Sequence, residues 1–192
     1  LNDAFESITE GNEKQWSPDL LERTARHEAG HAFISYKVGI MPKYATIVAR
    51  GSYGGYVISD NEREIHTYDE LLDDICIALG ARAAEIVCYG RRNGLASGAS
   101  NDIRQATEIA RRIITTYGMD EGFGIAAVFA EQLSGATAEM VRDIENRILS
   151  AQLERAVSFI ENEKALFDKL AKALLDKNRL TKDDMEKILV SE

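Results

Sequence analysis

The sequence predicts a mainly α domain with a small β-hairpin or sheet near a candidate metal site. Three observations predict this class: apolar residues recur at helical spacing along most of the chain, one short segment (44–58) is rich in β-branched residues, and two histidines stand four residues apart in the first predicted helix. The 192 residues, 45% hydrophobic and 29% charged, suit one sizeable core or two small ones.

The first helix is expected from about Pro18 to Val38. Ser17 is placed to cap its N-terminus, and Pro18 suits the first helical position because its missing N–H would have no partner there. His27 and His31 lie about 40° apart around a helix axis, so their rings project from one face. Glu28 stands directly beside them.

This His-Glu-x-x-His pattern is typical of hydrolytic zinc sites. Two imidazoles and a third protein ligand leave one zinc position for water, whose pKa falls towards about 7, and Glu28 can act as general base. The competing interpretation is that both histidines are ordinary helix residues. The motif alone does not identify the third ligand.

The segment from Tyr44 to Ile58 is predicted to form a hairpin or small sheet. An edge strand there could pair with an extended substrate backbone. A purely structural hairpin is an equally good interpretation of these residues.

Thr67 to Glu70 form a predicted capping box that opens one helix ending at Gly90. The small residues Gly80 to Ala84 give this helix a narrow face that lets the metal helix approach. A carboxylate such as Glu85 is more often a surface group, although it could orient a ligating histidine.

A loop from Gly94 to Ser100 leads into a helix predicted over 101–117, with Asp102 in its first turn. A helix N-terminus favours an ionised carboxylate, so Asp102 is either a solvated cap or a metal ligand. The inward-facing residues are expected to be Ile103, Ala106, Ala110, Ile113 and Ile114.

The apolar run Ile125 to Phe129 is interpreted as a possible short strand, and the rest of the chain is helical in pattern. Thr181 and Asp184 are expected to cap the last short helix. Cys76 and Cys88 would lie about 18 Å apart along one helix, so we expect free thiols in a reducing compartment. The net charge of −9 argues against nucleic acid as a partner.

Three separated motifs carry a family resemblance: His27 to His31, Gly80 to Glu85, and Ser97 to Asp102, followed by Ala106-Thr107 and Tyr117-Gly118-Met119. In this order they resemble the peptidase domain of the FtsH family of AAA+ zinc proteases. The resemblance implies that His27, His31 and Asp102 bind Zn²⁺ and that Glu28 is the catalytic base. It also implies a mostly helical domain that assembles as a homo-hexamer.

The resemblance further implies a domain order. Residues 1–16 are expected to be the end of an upstream AAA+ module with its linker, and 17–192 the metallopeptidase domain, whose helical C-terminal part starts at about 137. ATP would act only through that upstream ATPase, since no Gly-x-x-x-x-Gly-Lys-Ser/Thr loop is present. The first residue is Leu1, so we expect a piece of a longer protein, cytoplasmic and of bacterial type, held at a membrane only if an anchor lies outside it.

The expected function is zinc-dependent endoproteolysis of unfolded or damaged proteins. One rival is a non-catalytic hexameric scaffold or substrate-holding domain, and another is a metallohydrolase acting on a non-peptide amide. His66 could replace a metal ligand but is better explained by a loop or surface role. Because zinc needs neutral imidazoles, activity should fall as the pH drops through about 6.5.

Overall fold

Helices form most of the chain in the computed structural model, which describes residues 16–48, 55–59, 65–92, 94–129 and 134–190. Within these ranges a three-stranded antiparallel sheet accompanies the helices, which confirms the mainly α fold class. The elements are α1 (Pro18–Lys37), β1 (Pro42–Thr46), β2 (Tyr56–Ser59), α2 (Tyr68–Ala78), α3 (Gly80–Tyr89), a 3-10 turn (Ser97–Ala99), α4 (Ser100–Thr115), α5 (Gly135–Asn162), α6 (Lys164–Lys177), β3 (Arg179–Thr181) and α7 (Lys182–Leu189). Of the segment 1–16 expected to end an upstream module, residues 1–15 lie outside the described ranges.

The predicted helix starts are confirmed by their capping contacts. Ser17 Oγ accepts a hydrogen bond from the Leu20 amide at the start of α1, where Pro18 occupies the first turn. Thr67 and Glu70 form a complete capping box at α2, and Thr181 forms one with Asp184 at α7. Short polar side chains satisfy amides that have no partner inside a helix, which explains why these starts can be recognised in the sequence.

The single helix predicted from Thr67 to Gly90 is wrong, because the structure divides it into α2 and α3 at Leu79. The ψ angle of Leu79 is −2°, away from the usual helical value, and α3 starts at the next residue, Gly80. Leu79 is also buried, so the apolar stripe continues across the break. The spacing of apolar residues therefore does not reveal where α2 ends. Cys76 and Cys88 therefore lie on different helices; both are nevertheless free thiols, as predicted.

The predicted hairpin is confirmed and extended by a third strand. β1 pairs with β2 and with β3, so the strand order is β2-β1-β3 and β1 is central. β3 was not predicted, because three residues are too few to show an alternating pattern. β1 is paired on both sides, whereas β2 lies at one end of the described sheet. Of the two strands of the predicted hairpin, β2 is therefore the one with an outer edge.

Two hydrophobic clusters hold the domain together. The first joins α1, α3, α5, α6, α7, β1 and β3, with Cys76 of α2, and the rings of Phe33 and Phe167 meet there edge to face with centroids 5.7 Å apart. The second joins α2, α4 and α5. Leu153 on α5 packs against both clusters, so the longest helix ties the metal helix to the rest of the domain.

Two expectations about buried segments are wrong. Ile103 is 37% exposed rather than inward, although the other four residues predicted on that face of α4 are buried. Ile125 to Phe129 form no strand: Ile125 is 99% exposed, and Val128 donates one backbone hydrogen bond to Thr115 at the end of α4. Among the described helices, none has the length and apolar character needed to cross a membrane.

Candidate metal centre

His27 and His31 project from one face of α1, as the four-residue spacing predicts. Their rings meet edge to face with centroids 5.2 Å apart. Both Nε2 atoms point at one carboxylate oxygen on α4, Asp102 Oδ2, which lies 3.3 Å from Nε2 of His27 and 3.6 Å from Nε2 of His31. One potential ligand atom from each of these residues therefore falls within a single 4.8 Å cluster.

The two distances from Asp102 Oδ2 suit a tetrahedral metal ion. Zinc bonds of 2.0–2.2 Å at the tetrahedral angle place neighbouring ligand atoms about 3.3–3.6 Å apart, the range in which both distances lie. That oxygen is buried and has no hydrogen-bond partner among the described residues. A buried carboxylate oxygen without a donor is costly unless a cation sits beside it, so the donor set fits zinc.

The ionisation of Asp102 also suits a ligand role. Burial favours its neutral acid, but the imidazoles of His27 and His31 outweigh burial and hold the pKa of Asp102 well below its usual range. Its place in the first turn of α4 acts in the same direction, since helix N-termini stabilise negative charge. Asp102 therefore offers a carboxylate at any physiological pH.

The other ring nitrogens are held by two different helices. His31 Nδ1 lies 2.9 Å from the carbonyl oxygen of Ile77 on α2, and a carbonyl can only accept, so Nδ1 carries the proton and Nε2 keeps its lone pair for a metal. His27 Nδ1 lies 4.0 Å from Glu85 Oε1 on α3. Such outer partners fix the ring and the tautomer of ligating histidines.

Glu85 is not the surface carboxylate that its residue type suggested, because it is 2% exposed. Its Oε2 accepts a hydrogen bond from the Ala96 amide and lies 3.3 Å from Arg82 Nη1, while Arg82 Nη2 donates to the Ala96 carbonyl. Glu85 therefore connects His27 to the segment that leads to Asp102. The signal in the sequence was its place four residues after Ala81, on the face of small residues that packs against α1.

Glu28 lies inside the same site and is 6% exposed. Burial raises the pKa of Glu28, while the imidazoles of His31 and His27 oppose the shift. Gly55, just before β2, borders this carboxylate so closely that an added Cβ would stand 2.8 Å from Oε1. A carboxylate with a raised pKa is a stronger base than an exposed glutamate, which suits proton transfer at neutral pH.

A cavity of about 1010 Å³ opens onto these groups. Its wall includes Tyr56, Val57 and Ser59, which places β2 beside the cleft. His66 also borders the cavity, 3.5 Å from Asp74, but does not belong to the metal-binding cluster. Of the residues predicted from the sequence, the structure brings together His27, Glu28, His31 and Asp102 and leaves His66 on a separate wall.

Comparisons with known proteins agree with this geometry. The chain is 37% identical to the ATP-dependent zinc metalloprotease YME1 homolog of Schizosaccharomyces pombe, over 90% of this chain and 25% of that protein. It is 31% identical to the ATP-dependent zinc metalloprotease FtsH of Thermus thermophilus, over 98% of this chain and 32% of that protein. With FtsH 1 of a Thermoanaerobacter species it shares 32% identity over 100% of this chain and 34% of the relative.

The chain thus spans about a quarter to a third of the length of these relatives. The model of peptidase family M41 matches residues 16–188, which include every residue of the metal centre. The chain therefore belongs to peptidase family M41.

Proposed function

We propose that this chain is a zinc metalloendopeptidase, the proteolytic domain of an ATP-dependent FtsH-like protease that degrades unfolded or damaged proteins. The observation that carries the proposal is the meeting of Asp102 Oδ2 with both histidine Nε2 atoms next to the buried carboxylate of Glu28. The family membership and the relatives' names support the same activity.

His27, His31 and Asp102 would hold the zinc ion. When bound, zinc polarises a substrate carbonyl and lowers the pKa of a water molecule at the site. Glu28 takes the proton of the attacking water and returns it to the leaving amine nitrogen. Its burial favours the protonated form after the first transfer, so the same group can serve as base and then as acid.

The substrate is held by the edge of β2. An extended chain can pair with the outer N–H and C=O groups of this strand while its peptide bond lies over the cleft. Backbone pairing does not depend on side chains, so it suits a protease that acts on many unfolded sequences. Endoproteolysis of extended chains follows from this arrangement.

The partners proposed for the whole protein rest on its relatives. The relatives are named as ATP-dependent and are three to four times longer than the matched segment. An AAA+ ATPase upstream in the same chain would supply unfolded substrate, and assembly as a homo-hexamer would enclose the cleavage sites. The proposed location of the protein is the cytoplasm. The protein would be held at a membrane if a segment outside residues 1–192 provides an anchor.

The test compares the wild type with Glu28→Gln for bound zinc and for cleavage of casein and a short unstructured peptide. Near one zinc per chain in both proteins, with cleavage lost only in the variant, is the expected result. Glu22→Gln is the matched control, because Glu22 lies on α1 with its side chain 49% exposed and should leave both readings unchanged. Zinc in both proteins without cleavage of the short peptide would instead favour the scaffold or substrate-holding role.

A further inference from the structure

The cavity extends beyond the metal centre on the side of His31. Ile77, whose carbonyl holds His31 Nδ1, and Asp74 both border the cavity from α2. Residues three apart share a helix face and are separated by about 5 Å along the axis. Asp74 therefore lies about one helical turn from the carbonyl that positions a metal-ligand candidate.

His66 lies against Asp74 in this extension. Its Nδ1 is 3.5 Å from Asp74 Oδ2, and the two side chains are 28% and 17% exposed. Nδ1 is buried and has no hydrogen bond to the described residues. Nδ1 is the ring nitrogen that faces the Asp74 carboxylate. A carboxylate can only accept, so the tautomer with its proton on Nδ1 suits this pair and leaves Nε2 as an acceptor.

β2 borders the same cavity through Tyr56, Val57 and Ser59. Gly55 borders Glu28 at one end of the strand, and Ser59 Oγ lies 2.9 Å from Ser35 Oγ, one helical turn beyond His31, at the other. β2 therefore runs alongside α1 past the metal centre. A peptide paired with β2 would therefore lie in the cavity that both Glu28 and His66 border.

The geometry points to a substrate subsite here: we propose that His66, positioned by Asp74, accepts a hydrogen bond from a substrate side chain with an apolar stem and a donating tip, such as tyrosine or lysine. The walls support the apolar stem, because Leu71 and Ile77 border the same space. The subsite deepens the proposed function and rests on it, since backbone pairing with β2 alone would not distinguish side chains.

The test measures binding of fluorescent peptides to the zinc-loaded Glu28→Gln protein, which holds substrate without cutting it. The peptides form pairs that differ only in the polar tip, tyrosine against phenylalanine and lysine against norleucine, with the tested residue moved one position at a time. At one position we expect the donor-tipped peptide to bind about three- to tenfold tighter, the usual range for one hydrogen bond.

The preference should disappear when His66→Phe is added, because phenylalanine keeps the ring shape without the acceptor. Asp74→Asn should reduce it, since the imidazole loses its charged partner. Ile65→Ala is the control on the same segment, because Ile65 is 84% exposed, and it should leave the preference intact. An equal preference with and without His66, or no preference at any position, would overturn the subsite.

Cleavage of the phenylalanine peptide by the wild type separates the two proposals. That peptide lacks the donating tip, so its cleavage depends on the metal centre and not on His66. Cleavage without a His66-dependent preference rejects the subsite alone. A His66-dependent preference without any cleavage rejects the peptidase assignment and retains the binding site.

Discussion

Gly30 on α1 and Gly80 at the start of α3 lie in backbone contact. A Cβ added to Gly30 would stand 2.5 Å from the Gly80 carbonyl oxygen, and one added to Gly80 would stand 2.7 Å from the Gly30 carbonyl oxygen. Gly30 directly precedes His31, and α3 carries Glu85 five residues after Gly80. The contact therefore sets the distance between the helix that carries the proposed zinc ligands His27 and His31 and the helix whose Glu85 faces His27.

Gly30→Ala should destabilise the protein despite the better helix propensity of alanine. The propensity gain is about 1 kcal/mol, whereas forcing a methyl group against backbone atoms costs about 1–3 kcal/mol or separates the helices. We expect a lower urea midpoint and weaker zinc binding, because α1 would move away from Glu85.

Gly98→Ala is the matched control, since a Cβ there meets no atom within 4 Å. It should leave the urea midpoint within experimental error. An unchanged midpoint in Gly30→Ala would show that α1 and α3 can separate at no cost.

Glu85→Gln should weaken zinc binding about 10- to 100-fold, the range found when an outer partner of a ligating histidine is lost. The amide keeps the shape but removes the charge that faces His27 Nδ1 and Arg82. Competition with a chromophoric chelator measures the affinity. Glu154→Gln is the control, because Glu154 pairs with Arg91 on the surface. Equal zinc affinities in the two variants would show that Glu85 does not contribute to zinc binding.

The two thiols should differ in reactivity. Cys76 is fully buried, and burial raises its pKa to about 12, with Arg155 opposing the shift. The thiolate is the reactive form, so a disulfide reagent at pH 8 should modify one thiol per native chain, the partly exposed Cys88. Two thiols should react in denaturant, and Cys88→Ser should leave none reactive in the native protein. Rapid reaction of both native thiols would contradict the packing of α2.

Local features of the sequence predicted the helices, the capped starts and the hairpin. Each capping contact joins residues three positions apart, as at Ser17, Thr67 and Thr181. These roles can therefore be predicted from the neighbouring residues in the sequence. The His27 and His31 pair is local in the same sense. Asp102 is separated from them by more than seventy positions, and its assignment depended on the family resemblance rather than on any spacing rule.

The features that the sequence did not predict depend on tertiary contacts. The break at Leu79 directly precedes Gly80, which contacts Gly30 of α1, and the pairing of β3 with β1 joins residues far apart in the chain. Residue type favoured a surface position for Glu85 over a role in orienting a histidine, but its partners come from other elements, His27 on α1 and the backbone of Ala96. Long-range partners of this kind leave little trace in a single sequence.

The zinc affinity should rise with pH up to about 9. In the metal-free protein burial lowers the pKa of His27, but Asp102 and Glu85 outweigh burial and raise the pKa to about 9. Proton competition should therefore begin at a higher pH than the value of about 6.5 expected for an ordinary imidazole. Below that pH the folded chain holds a proton on His27 that zinc must displace. One displaced proton weakens the apparent affinity about tenfold for each pH unit below the pKa. Chelator competition between about pH 6 and pH 10 measures the slope.

Glu85→Gln tests the cause of this slope. Removing the Glu85 charge takes away one of the groups that raise the pKa of His27. The zinc affinity of the variant should therefore stop rising at a lower pH than that of the wild type. Its plateau affinity should nevertheless be weaker. A wild-type affinity that is already constant between pH 7 and pH 9 would contradict proton competition at His27, because the carboxylates would then not hold a proton on its ring.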